Sequence, residues 1–157
     1  MATFSFFKCG PSGGTSGDHF DDEIPAAGVA VTNIRVNHGD NDHVAGRGKY
    51  LNSIRLTYSD HSQTAPHGHD GGNRSTTKKI DLAGQEYIVE VSGKYGSYID
   101  RLFIRTSSGQ TFGPFGGTGG HTEFTYHVPD GMAIIGFFGS SGDCVDALGI
   151  LYRPISG

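Results

Sequence analysis

Three segments of the sequence share one spacing, in which a glycine is followed four residues later by a carboxylate or an amide. They are Gly48–Asn52, Gly96–Asp100 and Gly142–Asp146, and the polar residue recurs after 48 and then 46 positions. An ionised carboxylate accepts two hydrogen bonds from neighbouring hydroxyls, and its charge makes those bonds strong. Turn N–H groups supply donors, and glycine lets the backbone approach a ligand closely. The spacing therefore suits a ligand with adjacent hydroxyl groups, such as a sugar.

The best-preserved segment is Gly142-Asp143-Cys144-Val145-Asp146. We expect the Asp146 carboxylate to accept hydrogen bonds from two hydroxyls, and the N–H groups of Asp143 and Cys144 to donate to ring and exocyclic oxygens. Gly142 would open the turn. The alternative is a purely structural role, in which the aspartate accepts hydrogen bonds from N–H groups of its own turn.

The other two segments differ in how much of this pattern they keep. The second retains the full spacing, with Gly96, Ser97, Tyr98 and Asp100 as its candidate binding residues, and binding and turn capping are evenly balanced there. The third combines Lys49 and Tyr50 with Asn52, whose amide offers one acceptor and a donor but not two acceptors. We predict that this third site is weak or vestigial.

Pairs of glycines mark a second repeated feature. They occur at Gly13-Gly14, Gly71-Gly72 and Gly116-Gly117, with a further pair at Gly119-Gly120. A glycine turn, a strand pair and a glycine-opened loop thus form a unit that occurs three times, which predicts pseudo-threefold symmetry. By that symmetry Gly117, Gly119 and Gly120 face the Asp100 loop, and Gly71 and Gly72 face the Asn52 loop.

Strands are the elements that position these loops. No window of a dozen residues has a convincing helical period, and turn signals interrupt the apolar runs. We predict an all-β chain of about a dozen strands, folded as a single domain over residues 1–157, with long polar loops at 38–47 and 60–75. The clearest strand patterns are Gly28–Val36, Ser53–Tyr58, Glu86–Val91, Asp100–Thr106 and Gly131–Phe138.

The bulk composition narrows the class of protein. A net charge of −4 without a basic block argues against nucleic-acid binding. No apolar stretch approaches the roughly 20 residues that cross a bilayer, so we expect no membrane insertion. The segment Met1–Gly10 lacks the basic start of a secretory signal, so we expect a cytoplasmic protein or export without a visible signal peptide. Cys9 and Cys144 are expected to be unpaired thiols, with a disulfide between them as the alternative.

Histidines and further carboxylates raise the question of a metal. Two clusters of histidine and carboxylate residues lie in predicted loops. Zinc, in contrast, needs three or four convergent ligands with supporting partners. We interpret the clusters as solvated, and expect no metal or other cofactor. Two roles remain open for His19 and His121, which either bind ligand or hold the glycine loops. The clusters are His67-Gly68-His69-Asp70, and Asp40 with Asp42 and His43.

Catalytic patterns are missing from the sequence. Gly10-Pro11-Ser12-Gly13-Gly14 has the letters of the Gly-x-Ser-x-Gly motif, but no helical pattern follows it as a nucleophile elbow requires. A glycosidase needs two carboxylates at one bond, whereas each repeat supplies one, so we expect no enzyme. If hydrolysis did occur, Asp143 or Asp18 would be the second carboxylate beside Asp146. The run Gly116–Gly120 lacks the lysine and the helix of a phosphate loop.

Three motifs in order give the chain a family likeness. Together they resemble the jacalin-related lectins over essentially the whole sequence, and with the repeat they favour binding at Asp146 over turn capping. The motifs are Gly10-Pro11-Ser12-Gly13-Gly14 followed by Phe20-Asp21-Asp22, then Phe112-Gly113-Pro114-Phe115-Gly116, and finally Ile135-Gly136-Phe137-Phe138-Gly139 followed by Gly142 to Asp146 and Leu148-Gly149-Ile150.

The resemblance implies a β-prism I fold, in which three four-stranded Greek-key sheets surround a pseudo-threefold axis. It also implies reversible, non-enzymatic binding of mono- or oligosaccharides, with glycoproteins as partners. We expect a homo-oligomer, a dimer, because several weak sugar sites bind tightly only when they act together. The alternative is a β-prism protein-interaction domain whose sugar sites have decayed.

The resemblance further implies how the Asp146 site is completed. The loop from Gly14 to Asp18 supplies the other half, with Gly17 matching the family's key glycine, and Lys94 and Tyr95 form a side wall. Galactose-preferring relatives have a cleaved chain whose new terminal glycine contributes an amine. Gly17 lies inside an unbroken loop, so we expect mannose or glucose to be preferred.

Overall fold

Twelve strands supply the regular structure in residues 5–44 and 48–155, the parts of the chain that the computed structural model describes. These ranges contain no helix, and so none that is long and apolar enough to cross a membrane. The all-β prediction is confirmed. The strands are β1 (Phe7–Gly13), β2 (Asp18–Asp21), β3 (Val31–Asp40), β4 (Lys49–Tyr58), β5 (His67–Gly68), β6 (Ser75–Asp81), β7 (Ile88–Tyr95), β8 (Ile99–Thr106), β9 (Thr111–Gly116), β10 (Thr122–His127), β11 (Met132–Ser141) and β12 (Val145–Pro154).

Hydrogen bonding divides these strands into one sheet of four and one of eight. The smaller sheet has the order β5-β4-β3-β6. The larger has the order β1-β12-β11-β7-β8-β9, with β2 also paired to β11 and β10 to β7. The pairing differs from the three separate sheets that we expected, because Ile134 of β11 pairs with Ile88 of β7. That one residue pair joins two groups of four strands.

The core lies between the strands β4, β8 and β12 and their neighbours. Side chains of β8 alternate between the core and the surface, as the period of two requires: Leu102 and Ile104 are fully buried, and Arg105 beside them is exposed. The two central apolar residues of β12, Leu148 and Ile150, are buried in the same cluster. These three strands carry the repeated polar residues, so a rigid core anchors each candidate loop.

The long polar loops are shorter than the sequence suggested. β3 continues through His38 to Asp40, and β5 with the start of β6 occupies part of the 60–75 segment. Strand pairing overrides the polar composition there, since His38 pairs with both Leu51 and Thr76. Residues 45–47 of the first predicted loop, and residues 1–4 of the Met1–Gly10 segment, lie outside the described residues.

Candidate functional site

A β-bulge places the polar residue of each repeated segment. Between β11 and β12, Ser140 pairs with Ala147 and Ser141 with Val145, so Asp146 is the extra residue of the bulge. A bulge bends its strand and re-aims the extra side chain, and such irregularities are frequent beside functional sites. The same irregularity recurs at Asp100, between the pairs Lys94↔Arg101 and Tyr95↔Ile99, and at Asn52, between Asn37↔Ser53 and His38↔Leu51.

A glycine turn lies opposite each bulge at a matching register. In every unit a glycine pairs with the residue that follows the bulge, and a second glycine with a positive φ angle comes four residues later. The turn thereby folds back over the bulged side chain. The three pairs are Gly13↔Ala147, Gly116↔Arg101 and Gly68↔Ser53, and the later glycines are Gly17 (φ 89°), Gly120 (φ 89°) and Gly72 (φ 100°).

This register corrects one sequence prediction. The glycine pair of the third unit is not equivalent to Gly13-Gly14, because the matching positions are Gly68 and His69. Gly71 nevertheless faces Asn52 as predicted, since a Cβ added to it would lie 2.5 Å from Asn52 Nδ2, whereas Gly72 adjoins the Asp42 carboxylate. The third turn therefore has an imidazole where the other two have only backbone.

The Asp146 carboxylate is buried and has no internal donor. Asp146 is 3% exposed, and a Cβ added to Gly17 would lie 2.7 Å from its Oδ1. Within the described ranges no group donates a hydrogen bond to this carboxylate, and the N–H groups of Asp143 and Cys144 likewise lack an acceptor. Burial, and secondarily the charge of Asp143, raises the pKa of Asp146 to about 6. The site thus combines two carboxylate acceptors that have no internal donor with two free N–H donors.

The rest of the loop is fixed by its own bonds. Gly142 N donates to Cys144 O at 2.9 Å, which closes the turn, and Gly14 N donates to Asp146 O at 2.9 Å, which ties the glycine turn to the bulge. Asp18 begins β2 opposite Ser141, so it lies at the rim of the site. The thiol of Cys144 is buried and that of Cys9 is exposed, and both are free, as expected. Burial, first, and then nearby Asp146 raise the pKa of Cys144 to about 12, so the thiol stays neutral.

The Asp100 loop repeats this arrangement in a half-buried setting. A Cβ added to Gly119 would lie 2.9 Å from Asp100 Oδ1, and one added to Gly120 would lie 3.1 Å from Oδ2. Gly117 N donates to Asp100 O at 2.8 Å. Burial raises the pKa of Asp100, and the Gly96 N–H group and His121 act in the opposite direction. The structure therefore brings the Asp100 loop against the turn that the sequence predicted.

The Asn52 side chain, in contrast, is fully engaged. It has no exposed surface, and its Oδ1 accepts from Asn41 Nδ2 at 3.0 Å. Its Nδ2 donates to Asn37 Oδ1 at 3.0 Å and to Asp40 O at 3.1 Å. These bonds consume the amide, so Asn52 holds the loop and has little left to offer a ligand.

Each site takes part of its wall from another repeat. A Cβ on Gly14 would meet Ser97 O, and one on Gly117 would lie 2.8 Å from Lys49 Cβ. Burial, and then the charges of Cys144, Asp146 and Asp143, raise the pKa of Tyr98. Because the neighbouring Ser97 abuts the Gly14 turn, we interpret Tyr98 as the candidate aromatic wall of the Asp146 site.

Tyr50 occupies the matching place beside Asp100. Burial and then Asp100 raise the pKa of Tyr50, and its ring lies 5.0 Å from that of Tyr98 in an edge-on contact. Lys94 and Tyr95 differ from their predicted place. They lie in β7 beside Gly120, where a Cβ would be 3.0 Å from Lys94 Cβ and from Tyr95 N, so they adjoin the Asp100 site.

His67 is a structural residue and not the solvated loop residue that we expected. Its Nε2 lies 2.5 Å from Asp22 Oδ1, and its ring stacks on Phe20 with centroids 3.8 Å apart. Asp22 Oδ2 also accepts from Phe137 N at 2.9 Å, so the buried pair joins β5 to β11. Asp70 binds Arg35 through both oxygens. Among the residues placed by the structure, no three His, Cys, Asp or Glu side chains converge as a metal site would require.

His19 and His121 take different positions. His19 Nδ1 lies 3.1 Å from Gly139 O, a contact that supports the loop-holding role. His121 is exposed beside Asp100, and its N–H group donates to Tyr95 O at 3.2 Å. The His121 side chain therefore keeps both of its expected roles open.

Comparison with known proteins identifies the family. The jacalin-like lectin domain family matches residues 9–151, and the chain belongs to that family. The chain is 32% identical over 151 residues to a mannose/glucose-specific lectin of Parkia pendula, covering 93% of this chain and 32% of the lectin. It is 30% identical over 145 residues to myrosinase-binding protein 2 of Arabidopsis thaliana, covering 92% of this chain and 20% of that protein. The chain thus spans a third or less of the length of these relatives.

A solved structure extends the likeness to the fold. The artocarpin–mannotriose complex superposes with a TM-score of 0.78 at 25% identity, covering 98% of this chain and 99% of artocarpin. Membership of a lectin family agrees with the prediction of a binding protein rather than an enzyme.

Proposed function

We propose that the chain binds mannose- or glucose-type sugars at the Asp146 site. The observation that carries this is the Asp146 carboxylate, which is buried, re-aimed by a bulge and given no hydrogen-bond donor by the described residues. A buried carboxylate without donors is unfavourable on its own, and two sugar hydroxyls would supply them. The free N–H groups of Asp143 and Cys144 donate hydrogen bonds to sugar oxygens, so the loop offers both acceptors and donors.

The relatives support the sugar class. The Parkia protein is named for mannose and glucose, and artocarpin was solved with a mannotriose. Gly17, which faces Asp146, lies within the continuous turn between β1 and β2, so no terminal amine is available there. Glycoproteins that display such sugars are the partners that this site would recognise.

Asp100 provides a second site in this proposal. Its carboxylate faces Gly119 and Gly120 in the same way, and Tyr50 supplies the aromatic wall. Asn52 gives no working third site because its amide is bonded internally. Two sites on one chain would let a multivalent glycan bind more tightly than one site allows.

The finer fold belongs to the same proposal. We infer three four-stranded Greek-key units around a pseudo-threefold axis, a β-prism built as one domain. Three bulges and three glycine turns at matching register support it, as does the single residue pair that joins the two halves of the larger sheet.

We also propose a dimer formed along β1. This strand ends the order of the larger sheet, and Phe7 at its start and Phe6 just before it are 44% and 42% exposed. An exposed edge with apolar side chains favours pairing with another strand. Light scattering should give the mass of two chains, and Phe7→Lys should lower it to one. A wild-type monomer at micromolar concentration would contradict the dimer.

The sugar proposal is tested by calorimetric titration with methyl α-mannoside. Asp146→Asn keeps the shape of the side chain but removes the charge and one acceptor, so we expect at least a tenfold loss of affinity. Asp130→Asn is the matched control, because Asp130 is an exposed turn aspartate outside the sugar loops. Equal affinity for the wild type and Asp146→Asn would remove the central claim, and preference for methyl α-galactoside would overturn the sugar class.

A protein-interaction domain with decayed sugar sites remains the second candidate. The name of myrosinase-binding protein 2 describes a protein partner, which is the observation that favours this alternative. It predicts no binding of any glycan at millimolar concentration.

A further inference from the structure

A mostly apolar cavity lies at the end of the strands opposite the Asp146 loop. Its volume is about 710 Å³, and residues 27–32, 82–87, 133–135 and 153–155 build its wall with Ser59. Asp146 and Arg153 stand near opposite ends of β12, and seven residues at a rise of about 3.3 Å place them about 23 Å apart. The cavity is therefore separate from the sugar site.

The size and lining of this cavity suit a small organic ligand. Such ligands occupy clefts of roughly 300–1,000 Å³ that are lined by apolar side chains and a few fixed polar groups. Val29, Val31, Leu82 and Ile134 supply aliphatic surface here. A body of aromatic rings or a short alkyl chain would displace water from these side chains, which is the main favourable term for apolar binding.

Arg153 places a cation in the wall of the cavity. Its guanidinium donates to Pro25 O at 2.6 Å, Ala26 O at 3.0 Å and Val29 O at 2.8 Å. Two of the five N–H donors of the group are then left over. Burial lowers the pKa of Arg153, and in the described part of the chain no carboxylate lies within 4.0 Å of it. A half-buried cation without a counter-ion favours the arrival of an anion.

The other charged residue of the wall, Glu86, is already occupied. Its carboxylate accepts from Ala83 N at 3.0 Å and from the hydroxyls of Thr106 and Ser108. These three donors stabilise its negative charge locally. Arg153 is therefore the charged group of the described wall that still offers hydrogen-bond donors to a ligand.

We propose that this cavity binds a small amphipathic anion, with its apolar body against Val29, Val31 and Leu82 and its carboxylate or sulfonate at Arg153. The site differs in place and chemistry from the sugar loops, so one chain would hold two kinds of ligand.

Two fluorescent probes with the same aromatic body test the proposal. 8-Anilinonaphthalene-1-sulfonate carries an anionic group, and N-phenyl-1-naphthylamine does not. We expect both to bind with one site per chain, and salt to weaken only the sulfonate, because screening acts on its contact with Arg153. Saturating methyl α-mannoside should leave both affinities unchanged.

Variants locate the probe. Gly84 lines the cavity, has no positive φ, and a Cβ added to it would meet no atom within 4 Å, so Gly84→Trp adds a bulky ring at the cavity wall without a steric clash. We expect it to lower both affinities by about tenfold or more, since the bulky ring removes the apolar volume. Gln110→Trp, on an exposed turn outside the wall, is the matched control. Arg153→Gln should weaken the sulfonate alone, and a thermal melt checks that this variant is folded.

The contrary results are equally defined. Equal binding by Gly84→Trp and Gln110→Trp would overturn the cavity assignment, as would displacement of the probes by mannoside. Salt-independent binding of the sulfonate would overturn the anion assignment even if Arg153→Gln failed to fold. The outcomes for the Gly84→Trp and Gln110→Trp variants and for the salt dependence do not depend on sugar binding, so the cavity proposal can fail or hold independently of the proposed function.

Discussion

The Asp146 and Asn52 loops have the same backbone plan but opposite internal bonding. Both place a polar residue at a bulge, opposite a glycine turn of the same register. Asp146 has no donor to its carboxylate in the described structure, whereas Asn52 makes three side-chain hydrogen bonds. The backbone repeat alone therefore does not define a binding site. A site needs a polar group that the fold leaves unsatisfied.

The largest expected effect comes from closing the Asp146 turn. Gly17→Val forces a branched residue into a φ of 89° and places its Cβ 2.7 Å from Asp146 Oδ1. We expect mannoside binding at this site to be abolished, with a stability loss of about 1–2 kcal/mol. The measurement is a mannoside titration combined with urea unfolding.

Gly131→Val separates blockage from strain. Gly131 has a similar φ of 83° but no atom near its added Cβ, so stability should fall while affinity stays unchanged. Loss of binding in this control as well would mean that strain, and not blockage, explains Gly17→Val.

The next largest expected effect is a loss of folding stability in the Asn52→Asp variant. From the repeated spacing alone, one would expect this substitution to restore a sugar site at the third loop. The structure predicts instead that the new carboxylate faces two acceptors, Asn37 Oδ1 and Asp40 O, and lowers the free energy of unfolding by about 3 kcal/mol. Urea unfolding at pH 7 measures it. A stable variant that gained a mannoside site would show that the network in this loop is not what excludes ligand.

The sequence revealed the repeated spacing but not this difference. Glycine at 142, 96 and 48 and the polar residue four places later are visible without a structure. The bulges are not, because register depends on the partner strand. The third turn has His69 in place of the second glycine of the pair. The double-glycine pattern therefore predicted Gly71-Gly72 instead of the equivalent Gly68 and His69.

Contacts between distant segments were equally invisible. Tyr98 lies near Asp146 although 48 positions separate them, and the prediction chose Tyr95 from the same loop region instead. Asp22 and His67 pair across 45 positions, so His67 looked like a solvated loop residue. Local pattern predicts strands and turns, whereas these contacts arise only when the sheets pack.

A smaller effect is the pH dependence of binding. The ionised form of Asp146 accepts the sugar hydroxyls, and its pKa of about 6 means that roughly a tenth is ionised at pH 5. We expect mannoside affinity to fall by about tenfold from pH 7 to pH 5 in calorimetry. Affinity that is constant over this range would contradict the role of the carboxylate.

The pH dependence of folding stability that arises from Asp146 should be opposite in sign to the pH dependence of mannoside binding. The folded-state pKa of Asp146 lies above its ordinary value, so the Asp146 contribution is most favourable at low pH and is lost as the pH rises through about 6. Asp146→Asn should therefore raise the melting temperature at pH 7 although it loses sugar.

The smallest effect concerns the aromatic wall. Tyr98→Ala should weaken mannoside binding at the Asp146 site by about fivefold, because one stacked ring contributes about 1 kcal/mol. Tyr95→Ala is the matched comparison and should leave that site unchanged, since Tyr95 adjoins Gly120. If Tyr95→Ala lowered the mannoside affinity more than Tyr98→Ala in the same titration, Tyr95 would be the aromatic wall, as the sequence predicted.

The ionisation of Asp146 itself tests the central claim most directly. Carboxyl carbon NMR of the full chain can follow its titration with and without saturating methyl α-mannoside. We predict a pKa near 6 in the free protein and a clear fall when the sugar is bound, because hydroxyl donors stabilise the ionised form. Binding of the sugar with no change in the pKa of Asp146 would show that this carboxylate is not the ligand's acceptor, and the account would fail.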